Sequence, residues 1–340
     1  MNNIATIAVQ MRLCLAVLLM GSAAAINAAR AQDQPLLIGA GSTFAAPLYE
    51  RWAQEFYEQT GTRINYYPIG STGGIRRITA HEFDFGASDA PMTDTEMRAA
   101  PGILHIPTVA GAVTVAYHIP GVGPGIHLTS NVIASIFQGQ ITRWNDARII
   151  KFNPGTAFPD LPIVTVHRSD GSGTTNIFTT YLSEASPTWN KAVGAGKSVH
   201  WPIGLAGHGN QGVAEILQDK VGGIGYLELS FAVQDNIPYA AVQNAKGRFI
   251  YPSVQSTTVA AEGVTLPSDF RKTITNTTTA DGYPITGFTF ILVYPDTKPG
   301  VKDFLIWALT DGQKNVSDLF YAPLPANVEK RALAAVTALK

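Results

Sequence analysis

Short apolar runs alternate with helical-period patterns along most of the chain, which predicts an α/β architecture and not an all-α or all-β one. From Phe44 the apolar residues Leu48, Trp52 and Phe56 recur every four positions, so they share one helical face, and Gly61 supplies the stop. Arg63 to Tyr67 then reads as a short strand. Two further runs, Ala110 to Tyr117 and Phe288 to Tyr294, are rich in β-formers and bounded by turn residues, which predicts buried strands. Between them lies a block with its own strand at Ile163 to Val166, its own helices and a glycine-rich segment from Val221 to Tyr226. A middle block inserted between two outer segments predicts two lobes joined by two crossing strands. The polar, Thr-rich stretch from Ala261 to Gly282 predicts a surface excursion, and an Ala-rich helix closes the chain from Val328 onward.

The first 31 residues depart from this pattern. Arg12, an apolar run from Leu13 to Met20 and Ala29-Arg30-Ala31 together predict an export signal cleaved after Ala31, with Met11 as an alternative start to Met1. The apolar run is too short for a membrane span. Cleavage removes the single cysteine, Cys14, so a product without disulfides is expected. It also removes Arg12 and Arg30, leaving 22 Lys plus Arg against 25 Asp plus Glu. No basic field exists to hold a nucleic acid, and an anion must be caught by local geometry.

That geometry is suggested by a pattern that occurs three times: glycine and hydroxyl residues just before a helical apolar pattern. Gly41-Ser42-Thr43-Phe44 precedes the Leu48/Trp52 helix, Gly70-Ser71-Thr72-Gly73-Gly74 precedes Ile75 and Ile78, and Gly171-Ser172-Gly173-Thr174 precedes Ile177, Phe178 and Tyr181. A helix N-terminus carries unpartnered N–H groups and the positive end of its dipole, glycine allows close approach, and hydroxyls rotate to donate. One such loop is most often an ordinary N-cap. Three that converge would surround a tetrahedral oxyanion. Arg168 stands just before the third loop with a planar fork suited to two oxygens, and Asp170 would orient it; the plainer reading is a surface ion pair. Asp89 closes the run Phe83 to Pro91 and by composition is a turn residue or helix cap. Facing the anion, it would accept a hydrogen bond from a protonated oxyanion and leave sulfate, which has no proton near neutral pH, opposite an unpaired buried charge.

These segments resemble the periplasmic phosphate-binding proteins of the phosphate-specific ABC transport system. The resemblance runs over Gly39 to Phe44 with Pro47, Gly70 to Gly74, Asp84 to Pro91, Phe137 to Ile141 with Trp144-Asn145-Asp146, Asp170 to Thr174, Trp201 to Gly204, Gly222 to Tyr226 and Pro284 to Thr286. It implies a two-lobed, type II-like periplasmic binding protein that closes on its ligand by a hinge, with lobe I at 32–115 plus 288–340 and lobe II at 116–287. It also implies phosphate bound by Thr43, the backbone N–H of Phe44, Ser71, Asp89, Arg168, Ser172, Gly173 and Thr174, and a monomer delivering it to a membrane permease and ATPase complex. No cofactor or metal is expected. Ser42, Thr72 and His167 depart from the family's common residues, as does the shortened 261–282 region, and His167 bears on the field near the cleft.

An enzyme is the main competing class, for example a phosphohydrolase using Ser172 or Thr43. No G-x-S-x-G elbow surrounds Ser172, the seven histidines show no H-E-x-x-H spacing, and no P-loop occurs. Other ligands within the binding class are arsenate, a phosphonate, molybdate and sulfate; Asp89 argues against fully ionised sulfate and molybdate, whereas arsenate shares phosphate's shape and protonation. A scavenging or adhesive protein on the same fold is a third class.

Overall fold

The computed structural model describes residues 36–340, so the predicted export signal and Cys14 lie outside the described residues. The strands are β1 (Leu36–Gly41), β2 (Arg63–Tyr67), β3 (Phe85–Ser88), β4 (Leu104–Tyr117), β5 (His127–Leu128), β6 (Val164–Arg168), β7 (Leu205–Gly207), β8 (Gly223–Glu228), β9 (Ala241–Gln243), β10 (Phe249–Ile250) and β11 (Thr286–Val293). Eight of them form one sheet in the order β2-β1-β3-β11-β4-β8-β6-β7, and β10-β9-β5 form a small second sheet.

The large sheet is two parallel halves joined by an antiparallel centre. β2, β1 and β3 are mutually parallel, as are β8, β6 and β7, while β11 is antiparallel to both β3 and β4, and β8 is antiparallel to β4. β4 is the shared spine, and every residue after Leu104 in it is buried, as expected of a strand covered on both faces. β3 ends at Ser88 opposite Phe290, which faces Pro107 of β4, whereas β8 ends at Glu228 opposite Val113. The carboxyl ends of the two halves therefore meet over one short stretch of β4. In open α/β sheets ligands collect at such strand ends, where loops lead into helices.

The expected strands are present with shifted ends. Arg63–Tyr67 is as read, but β4 starts at Leu104 because Pro107, which reads as a breaker, falls at a register shift in its pairing with β11. β6 runs on to Arg168, so the binding candidate ends a strand instead of following one. β4 carries the chain from the first half into the second. The return passes through Tyr283 to Ile285, tied to β4 by Val113 N–H to Ile285 O at 2.8 Å and Tyr283 Oη to Val113 O at 2.9 Å, and enters β11. The 261–282 segment is irregular, yet Leu266, Phe270 and Ile274 are buried in the core, so it is a packed strap and not a free excursion.

Each half carries its own aromatic packing. In the first, Trp52 and Phe56 of the Ala46–Thr60 helix meet Phe304 and Trp307 of the Pro299–Leu309 helix edge-on or tilted. In the second, Tyr226 stacks on Phe178 and Trp201. Each such buried side chain contributes about 1.5–3 kcal/mol from area removed from water, which holds the loop-bearing helices against the sheet.

Candidate functional site

The three predicted loops begin from local capping. Ser42 Oγ accepts the Ala45 N–H at 3.1 Å and Pro47 sits in the first turn of the Ala46–Thr60 helix, where its missing N–H costs nothing. Gly70, at φ 82°, turns the chain into the Ser71–Thr79 helix. Ser172 caps the Gly173–Ala185 helix, its Oγ accepting the Thr175 N–H at 3.1 Å. The ordinary cap reading thus holds for the hydroxyl of Ser172, whereas Ser42 lies ahead of the Ala45 N-cap and gives its proton to Asp89. Thr43 and Ser71 instead use theirs across the cleft, and Thr174 uses its own within its half, on Arg168 and Asn210.

The tertiary fold brings these loops into contact. Ser71 Oγ of the first half accepts the N–H of Gly173 in the second at 3.0 Å and the N–H of Asp89 at 3.2 Å, and Thr72 N–H donates to Gly171 O at 3.0 Å. A Cβ at Gly173 would lie 2.5 Å from Ser71 Oγ and 2.6 Å from the Asp89 Cβ, so this approach requires glycine. Phe44 is fully buried and anchored, its carbonyl accepting Tyr321 Oη–H at 2.7 Å.

A fourth loop of the same kind completes the ring, and sequence reading passed over it. His208-Gly209-Asn210 leads into the Gly209–Asp219 helix, with Gly209 at φ 67°. Gly209 N–H donates to Asp170 Oδ1 at 3.1 Å, and Asn210 Nδ2 donates to Thr43 Oγ1 at 3.0 Å and Thr174 Oγ1 at 3.2 Å. A glycine-flanked small polar residue before the apolar set Val213, Ala214 and Leu217 was the available signal, the same one used for the other three.

The charges are few and buried. The Arg168 side chain is 1% exposed and lies fork to fork with Asp170, Nε to Oδ1 at 2.8 Å and Nη2 to Oδ2 at 2.5 Å, while Nη1 donates to Thr174 Oγ1 at 3.2 Å. This is no surface pair. Burial works to raise the Asp170 carboxyl, but the Arg168 guanidinium and the Gly209 N–H hold it below the usual range. Asp89 accepts Ser42 Oγ–H at 2.5 Å and Thr289 Oγ1–H at 2.8 Å on Oδ1, with Ser71 Oγ 3.4 Å from Oδ2. Burial pushes its pKa up to about 6 against the opposing pull of those hydroxyls and Arg168. Asp89 is therefore neither exposed turn nor helix cap. Its acceptor oxygens stand among donors, ready to take a proton-bearing oxygen. His167 sits next to Arg168 on β6 and so on the other face, stacked on Trp201 at 4.9 Å; burial lowers its pKa, which keeps its charge out of the cleft. Among the described residues no group of three or more His, Cys, Asp or Glu is placed to hold a metal ion.

Two halves of parallel sheet meeting at their strand ends, with donor loops from both, define a two-lobed periplasmic binding protein. The family model described as a PBP superfamily domain matches residues 24–312. The phosphate-binding protein PstS of Xylella fastidiosa is 43% identical over 86% of this chain and 82% of its own, and that of Pasteurella multocida is 40% identical over 86% and 87%. The chain belongs to the PstS family of phosphate-binding proteins. The same fold is found in a high affinity periplasmic phosphate-binding protein bound with phosphate (TM-score 0.70, 20% identity, 88% of this chain and 93% of that one). It is found too in an ABC-type phosphate transport receptor from Vibrio cholerae (TM-score 0.57, 17% identity, 85% of this chain and 100% of that one).

Proposed function

We propose that this chain binds inorganic phosphate between its two lobes and delivers it to a membrane ABC transporter. The observation that carries the reading is Asp89, a buried carboxylate set among three hydroxyls of its own half and facing the charge of Arg168 in the other. Thr43, the Phe44 N–H, Ser71, Arg168, Ser172, Gly173 and Thr174 would surround the phosphate, and Asp89 would accept its proton. Arg168 is already neutralised by Asp170, so binding relies on neutral dipoles and not on net charge.

We place lobe I at 36–115 with 288–340 and lobe II at 116–287, since β4 leaves the first half at its end and β11 restores it. Phosphate held by both lobes favours the closed arrangement by differential affinity, and the transporter's permease and ATPase would read that shape. A periplasmic monomer released by cleavage after Ala31 fits this role, and among the described residues no helix is long and apolar enough to cross a membrane. Catalysis is not proposed, because Ser172 Oγ is occupied as a cap and Thr43 Oγ1 has an amide, not a base, as its side-chain partner.

The test is calorimetric titration with phosphate and, separately, sulfate after unfolding and refolding to strip carried-over ligand. Stoichiometric phosphate binding with no sulfate binding is expected. Equal binding of both would remove the role given to Asp89, and binding of neither would overturn the function.

A further inference from the structure

Every polar atom of the fully buried Asn210 side chain is committed. Its Oδ1 accepts the backbone N–H of Glu228 at 3.0 Å, and because only the amide oxygen can do this, the amide has one orientation and Nδ2 faces the two threonines. The two Nδ2 hydrogens go to Thr43 Oγ1 at 3.0 Å and Thr174 Oγ1 at 3.2 Å, one residue from each side of the cleft. Thr43 Oγ1 also receives the Asn210 backbone N–H at 3.3 Å, and Thr174 Oγ1 also receives Arg168 Nη1–H at 3.2 Å. A hydroxyl oxygen has two acceptor lone pairs and one proton. Each of these oxygens already faces two donors, so each hydroxyl has only its proton left to give.

We infer that Asn210 is a positioning residue that locks the Thr43 and Thr174 hydroxyls as donors, one from each lobe, and so selects an oxyanion that presents bare acceptor oxygens to both. A ligand proton is then excluded from the oxygens that face Thr43 and Thr174 and is left to the Asp89 side. The inference rests on the phosphate reading above. It also implies that donor polarity is completed only on closure, since Asn210 and Thr174 belong to one lobe and Thr43 to the other.

The test is calorimetric titration of phosphate into the wild-type protein and into Asn210→Asp and Asn210→Ala, with thermal unfolding of each unliganded variant to confirm folding. Asn210→Asp keeps the shape but turns a donor into an acceptor that captures the threonine protons, so at about pH 8 it should bind phosphate about 100-fold more weakly, against about tenfold for Asn210→Ala. As pH falls to about 5 the new carboxyl takes up a proton and can donate again, so its deficit should narrow; a packing defect would not respond. In a Thr43→Val, Thr174→Val background, Asn210→Ala should cost less than about twofold more, since its targets are gone. Asn210→Asp milder than Asn210→Ala at every pH, or an undiminished cost in the valine background, would overturn the inference. Wild-type protein that binds phosphate beside an Asn210→Asp variant that binds it equally sinks this inference alone, while wild-type protein that fails to bind sinks the phosphate reading and takes this with it.

Discussion

Asp89 and Glu228 both end up buried at strand ends beside the central pair, one after β3 and one closing β8, yet their surroundings differ. Asp89 faces three hydroxyls and feels Arg168, and burial raises it only to about 6. Glu228 receives the Ser230 N–H at 2.8 Å and the Ser230 hydroxyl on Oε2, with Tyr321 Oη, whose proton goes to the Phe44 carbonyl, 3.3 Å from the same oxygen, while Oε1 is buried without a partner. Burial, with the nearby Asp89 charge adding to it, pushes Glu228 up to about 8. The lesson is that donor count on both oxygens, not depth alone, decides which carboxylate is ionised near neutral pH. Near neutral pH Asp89 is left charged, as the role proposed for it requires, and Glu228 stays a neutral acid.

The largest effect expected is on Arg168, the cation whose charge Asp89 feels. Arg168→Ala should weaken phosphate binding by about 2–5 kcal/mol, because it leaves Asp170 buried and unpaired as well as removing donors; calorimetry showing a change under about tenfold would count against its role.

The next two test the contrast directly. Both folded-state values lie above those of the free groups, 3.8 for Asp89 and 4.5 for Glu228, so each acid favours the fold fully at low pH and loses that contribution as pH rises through its folded value. Glu228→Gln should therefore stabilise the unliganded protein by about 3 kcal/mol at pH 7, with the gain absent near pH 4 and still growing toward pH 8. Asp89→Asn should show a gain of similar size at pH 7, about 3 kcal/mol, that stops growing above about pH 6. Denaturant unfolding of each variant against wild type across pH reads both. Gains that level off at the same pH would erase the distinction between the two sites.

The smallest effect concerns an ion pair that joins the halves away from the anion site. Lys197 Nζ meets Glu96 Oε2 at 2.7 Å, with both side chains partly exposed. Lys197→Met should cost about 0.5–1 kcal/mol of phosphate affinity, and the cost should fade in high salt. A salt-independent loss of several kcal/mol would mean that closure rests on this pair and not on the hydroxyl ring.

Most of the elements were legible in the sequence because their causes are local. The four-residue recurrence of Leu48, Trp52 and Phe56 gives a helix whatever it packs against, and Gly61 ends it in the left-handed conformation, φ 74°. The misread ends have local causes too: Pro107 reads as a terminator unless a bulge receives it. The 261–282 strap reads as surface because its Thr-rich composition hides four buried apolar residues, Ala261, Leu266, Phe270 and Ile274. At the candidate site, Thr43, Ser71 and Thr174 stand out in the sequence because glycine and hydroxyls before a helix are a recognisable pattern, and Arg168 because it precedes one such loop. Asn210 carried a weaker form of that pattern and was missed, and nothing around Glu228 or Tyr321 marks them in sequence.

By itself, then, the amino-acid sequence determined the α/β class, the helix starts and the chemical character of the anion-facing loops, since these follow from backbone preferences over a few neighbouring residues. The tertiary structure alone decided which hydroxyls cap their own helices and which cross the cleft, that Asn210 joins Thr43 to Thr174, and which buried carboxylate keeps its charge. Thr43 and Asn210 are 167 residues apart in the chain, and Asp89 and Thr289 are 200 apart. Hydrogen-bond polarity and burial are properties of such distant pairs brought together, so no local window of sequence contains them.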